Sequence, residues 1–131
     1  MSIWSFKNNG RTLCINTADT PAPWTNKLFN SEYILDLTQR MQGEGTVISP
    51  VFRTTPQIAE KRDFFVKFGG EDFRLLCGQG EDYRCEQSPE SSEVFEKFSG
   101  FSASVRAFVP VRGKAEIWTV KIKNETEKTA D

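Results

Sequence analysis

The run Phe101–Val109, "FSASVRAFV", sets Phe101, Ala103, Val105, Ala107 and Val109 on one parity and Ser102, Ser104 and Arg106 on the other, with Phe108 the one apolar residue on the polar side. Successive side chains of a strand point to opposite faces, so a period of two reads as a half-buried β-strand. Upstream, Glu93–Phe98, "EVFEKF", alternates less cleanly and meets this run across Ser99 and Gly100, a hairpin-type link. Downstream, Pro110 has no N–H for a ladder and ends the strand, and Val111–Gly113 gives room to turn. Glu116–Lys123, "EIWTVKIK", then gathers Trp118, Val120 and Ile122 on one face, expected to join the core, and turns Thr119, Lys121 and Lys123 to water. Three consecutive antiparallel strands result.

The same pattern extends toward the start. Asn9 and Gly10 separate two apolar-rich runs, a strong hairpin signal, in which Trp4 and Phe6 alternate as expected core residues. Arg62–Phe68 and Asp72–Gly78 flank Gly69 and Gly70 as a second hairpin. Ser31–Met41 alternates Tyr33, Leu35 and Leu37 and is read as a strand, although Ile34 and Leu35 also fit a helical stripe with Thr38. No stretch of about twelve residues carries a clean helical repeat, so few or no helices are expected. Arg40–Arg62 and Cys85–Glu93 carry the Gly, Pro and Ser of loops. With no repeat and no linker, residues 1–131 read as a single all-β domain, an antiparallel β-sandwich.

Lys and Arg number 17 against 18 Asp and Glu, a net charge of -1 with neither sign gathered into a block. That weighs against a nucleic-acid partner, which needs a concentrated basic surface. The apolar runs are a few residues long, so no membrane partner is expected. Histidine is absent, which removes the usual general base and the commonest transition-metal ligand. Cys14, Cys77 and Cys85 form no C-x-x-C pair and read as small apolar fillers. Glu71 with Asp72, and Glu81 with Asp82, read as solvated turns rather than catalytic pairs. No metal or cofactor is expected. The opening "MSIWSFKNNGR" shows no charged leader followed by an apolar stretch, so the expected location is cytoplasmic.

One segment is stiffer than a connection needs. Asp19–Asn26, "DTPAPWTN", holds two prolines and a tryptophan in eight residues. It resembles the early "TP-PW-N" element of the cellobiose and chitobiose phosphorylases, glycoside hydrolase family 94, formerly grouped as glycosyltransferase family 36. Phe108, Val109 and Pro110, followed by Glu116, Trp118, Val120, Ile122 and Asn124, are similar to that family's later strand ending in "FVP" and its "E-W-V-I-N" strand. The resemblance runs in order along nearly the whole chain.

What the resemblance implies is a part of a supersandwich-type N-terminal domain, expected to be an N-terminal fragment without the catalytic (α/α)6 barrel. No residue inherits a catalytic role. The parent reaction would be inverting phosphorolysis of a disaccharide, with inorganic phosphate as co-substrate bound outside this chain. The family also implies a homodimer and an N-terminal wall beside the partner's sugar cleft, which makes Trp24 and Asn26 the candidate sugar-facing or interface residues. Two placements stay open: Trp24 stacked on a pyranose with Asn26 on a hydroxyl, or Trp24 packed inward with Asn26 capping a turn. Function is thus expected to be structural and assembly-related, with a self-standing carbohydrate-binding module or a β-sandwich interaction protein as the alternative, and an oligosaccharide as the possible ligand.

Overall fold

A computed structural model describes residues 2–49, 51, 55–56, 62–67, 70 and 73–129. Strands β1 (Trp4–Lys7), β2 (Thr12–Ile15), β9 (Glu81–Gln87), β10 (Ser92–Phe98), β11 (Phe101–Phe108) and β12 (Ile117–Asn124) form one sheet in the order β1-β2-β9-β10-β11-β12. A second sheet joins β3 (Asn26–Phe29), β4 (Tyr33–Leu37), β5 (Gly45–Val47) and β6 (Thr55–Pro56) in sequence order, and β7 (Phe65–Lys67) pairs with β8 (Phe73–Leu75). Every pairing is antiparallel. No helix occurs among the described residues. The all-β expectation holds.

The hairpins form where the turn chemistry placed them. Asn8, Asn9 and Gly10 all have positive φ in the β1–β2 turn, and Gly100 (φ 93°) closes the two-residue turn between paired Phe98 and Phe101. Four strands lie where loops were expected or no strand was read. β3 continues from the proline segment, β5 and β6 lie within Arg40–Arg62, and β9 includes Cys85–Gln87. Each is specified by pairing with a neighbouring strand rather than by its own alternation. β9, for instance, fills the slot between β2 and β10, bonded on both edges. Glu81 and Asp82 accordingly begin a strand rather than form a turn; both are exposed, and Asp82 pairs with Lys97 at 2.9 Å. Gly69, Glu71 and Asp72 lie outside the described residues.

Between β2 and β9 the chain leaves the first sheet, builds the second sheet and the β7–β8 hairpin, and returns to pair with the strand it left. Leu28, Tyr33, Leu35 and Leu37 from the second sheet meet Ile15, Cys85, Val94, Val105 and Ala107 in one core. Cross-strand register puts Trp4, Ile15, Cys85, Val94, Val105 and Val120 in a single row on this inner face. The middle of the row is buried, but its ends are not. Six strands spaced about 4.8 Å apart overhang four. Trp4, Phe6, Val120 and Ile122 are therefore exposed, contrary to the core placement their alternation suggested, whereas Trp118 packs partly buried against the core. On the outer face, Arg84 lies 4.5 Å above the ring of half-buried Phe95.

Candidate functional site

The proline segment links β2 to β3 and is wired to the turn after β4. Gln39, itself buried, accepts the Trp24 N–H at Oε1 (3.0 Å) and donates from Nε2 to the Ala18 carbonyl (2.9 Å) and Thr20 Oγ1 (2.7 Å). Arg40 adds a bond to the Ala18 carbonyl and pairs with Asp19. From the other side, Gln87 Nε2 donates to the Trp24 carbonyl at 2.9 Å. The backbone around Trp24 is thus held by two glutamines, one in the turn after β4 and one at the end of β9. Prolines limit the torsions and the amides set the position.

Trp24 meets the end of β9 and Asn26 the β9–β10 connection, and they do different work. The Trp24 ring is half-buried against the core margin. Asn26 opens β3, and its Nδ2 donates to the Ser88 carbonyl (2.8 Å) and Ser92 Oγ (3.0 Å), locking the Ser88–Ser92 turn. An open cleft of about 430 Å³ is lined by Asn26 with Phe6, Arg11, Leu13 and Lys27, while another of about 420 Å³ lies between the prolines and Thr38–Gln42, with Trp24 outside both linings.

Two charged clasps escape the sequence reading. Glu96 stands on the inner face of β10 and is buried; Oε1 accepts the Cys77 N–H, and Oε2 accepts those of Gly78 and Gly80, each at 3.0 Å. One carboxylate thereby shapes the loop from β8 to β9. The signal available was a glutamate on the parity of Ser92, Val94 and Phe98. Glu116 forms the second clasp, receiving Arg62 Nε (2.6 Å) and Nη2 (3.0 Å), the Tyr33 hydroxyl (2.9 Å) and Trp118 Nε1 (3.0 Å). Gly45 leaves space here, since a Cβ would lie 1.9 Å from the Tyr33 hydroxyl oxygen.

Electrostatics agree with a closed interior. Burial, reinforced by the bond to Glu116, pushes the Tyr33 hydroxyl up to about 12. Burial pushes the Cys85 thiol up to about 12, and burial with the nearby Glu96 charge raises Cys77 further. All three cysteines are buried and unbridged, as small fillers should be. Both oxygens of Glu96 and of Glu116 are engaged by protein donors, which suits them to hold backbone and side chains rather than to exchange protons with a substrate. Among the described residues no cluster of three or more acidic or cysteine side chains is placed to hold a metal.

These features define a class: an antiparallel multi-sheet β domain whose interior polar groups fix loops. Residues 73–131 match the family model described as the glycosyl hydrolase 94 supersandwich domain. The chain is 34% identical to a 3-O-beta-D-glucopyranosyl-beta-D-glucuronide phosphorylase of Paenibacillus borealis over 125 residues, which cover 91% of this chain and 16% of that protein. It is 24% identical to an N,N'-diacetylchitobiose phosphorylase of Vibrio proteolyticus, over 98% of this chain and 18% of that protein. Residues 73–131 thus carry the supersandwich domain of the glycoside hydrolase 94 family that the motifs suggested. The chain spans under a fifth of the length of these relatives. The matched segment contains Glu96, Glu116 and Trp118, while Trp24 and Asn26 precede it.

Proposed function

We propose that this chain acts as a non-catalytic N-terminal domain of a disaccharide phosphorylase-type enzyme, supporting assembly with a catalytic domain and with a second subunit. The supersandwich match over residues 73–131 carries this reading. The saturated carboxylates of Glu96 and Glu116 support it, because inverting phosphorolysis needs an acid free to protonate the glycosidic oxygen while phosphate attacks the anomeric carbon. Acid and phosphate would both be supplied by the catalytic domain. In such an enzyme the stiff Asp19–Asn26 segment, with Trp24 at its end, borders the sugar cleft.

The test is direct. The purified chain, mixed with phosphate and either 3-O-β-D-glucopyranosyl-β-D-glucuronide or N,N'-diacetylchitobiose, is expected to form no sugar phosphate. Sustained formation of sugar phosphate by the chain alone overturns the reading. A tryptophan-fluorescence shift with free oligosaccharide, lost in Trp24→Ala, would instead make the chain a carbohydrate-binding module.

A further inference from the structure

β12 has one edge bonded to β11 and, among the described residues, one open edge. Its register with β11 runs without interruption from Phe101↔Asn124 to Phe108↔Ile117, and the Glu125 N–H donates to the Gly100 carbonyl at 3.0 Å, continuing that ladder. Antiparallel neighbours alternate bonded and non-bonded pairs. Residues 117, 119, 121 and 123 therefore turn their backbone groups toward β11, and Trp118, Val120, Ile122 and Asn124 turn theirs outward. Among the described residues no strand meets that outward edge. Eight residues of regular strand with N–H and C=O groups turned to that edge form a template for another strand.

The side chains say what kind. On the inner face Val120 and Ile122 are exposed beside the partly buried Trp118, continuous with the core through Val105 and Ala103. On the outer face stand Lys121 and Lys123, close to Lys97, Arg84 and Asp82 in one shallow cleft, where Lys123 pairs with Glu125 and Lys97 with Asp82, each at 2.9 Å. A strand laid along β12 meets apolar groups on one face and cations on the other. Pairing with a second copy of β12 would set lysines against lysines, the device by which proteins discourage edge-to-edge association.

We propose that β12 receives a seventh strand whose residues alternate apolar, against Val120 and Ile122, with acidic, against Lys121 and Lys123. Its source is a further segment of a phosphorylase-type polypeptide, an assignment that rests on the function proposed above. The added strand completes the sheet, covers the overhanging apolar margin and sets carboxylates beside Lys121 and Lys123, three gains that neither a small sugar nor a helix provides together. Its addition makes β12 a central strand. This gives the assembly role a definite location in the fold.

Amide hydrogen exchange of the intact chain, read residue by residue with and without a blocked seven-residue peptide alternating glutamate and valine, tests the proposal. The outward amides of Trp118, Val120 and Ile122 should slow at least tenfold with peptide, while those of Thr119, Lys121 and Lys123, already bonded to β11, should change little. A lysine–valine peptide should give no such slowing. In the double variant Lys121→Glu, Lys123→Glu, whose changes lie on exposed side chains, the preference should reverse. Absence of slowing at any peptide concentration up to millimolar overturns the proposal, as does equal slowing by both peptides. Slowing without peptide that grows with protein concentration overturns it in favour of self-pairing. None of these failures touches the catalytic test of the proposed function, which is read from sugar phosphate alone.

Discussion

Glu96 and Ile122 belong to one cross-strand row on one face of one sheet, joined through Ala103, and their burial is the reverse of their chemistry. The glutamate is 3% exposed and the isoleucine 43%. At the centre, the row lies under the β8–β9 loop, whose N–H groups make a carboxylate the right filling. At the margin, the row has passed beyond the four-stranded sheet, and an apolar side chain is left part-exposed among the described residues. Hydrophobicity sets which face of a strand turns inward; the width of the opposing layer sets whether that face is covered.

The comparison can be broken at its centre first. Glu96→Ala should destabilise the chain by about 3 kcal/mol, because the buried Cys77 N–H and those of Gly78 and Gly80 lose their acceptor together. Urea unfolding measures it, and a loss below about 1 kcal/mol would show that the loop holds itself. Val105 and Val120 offer the sharpest contrast, since they are register partners that are 1% and 41% exposed. Val105→Ala should cost about 2 kcal/mol and Val120→Ala less than about 0.5, and equal costs would mean that the β12 margin is already covered.

Smaller effects test the polar and titrating interior. Asn26→Ala should cost about 1 kcal/mol through release of the Ser88–Ser92 turn. Stability should also fall at alkaline pH. The folded Cys85 thiol stays protonated up to about 12, while the unfolded thiol ionises near its ordinary 9.0, so the unfolded chain releases protons first. The stabilisation is complete below pH 9, has dropped by about 1 kcal/mol per such thiol at pH 10, and is lost as pH rises toward 12. Thermal melts between pH 7 and 10 follow this, and Cys85→Ser should flatten the slope. Least affected should be Lys27→Ala. Its exposed pair with Asp36 contributes under about 0.5 kcal/mol, within the scatter of the same melts.

Local sequence carried what local physics decides. Alternation in Phe101–Phe108 and Ile117–Asn124, and glycine with asparagine at the turns, determined the three-strand meander, the first hairpin and the all-β class, because side-chain parity and turn torsions depend only on near neighbours. The "DTPAPWTN" and "FVP" elements carried the family. Tertiary structure alone decided that polar-rich β9 is a central strand, that Gln39 and Gln87 hold the Trp24 backbone, that Glu96 is buried, and that Val120 and Ile122 are not. Each of these depends on a partner contributed by a distant part of the chain: a slot between β2 and β10, a loop of unpaired N–H groups, or an opposing sheet that stops short. Periodicity tells a strand which way to face, and only the assembled fold supplies what stands in front of it.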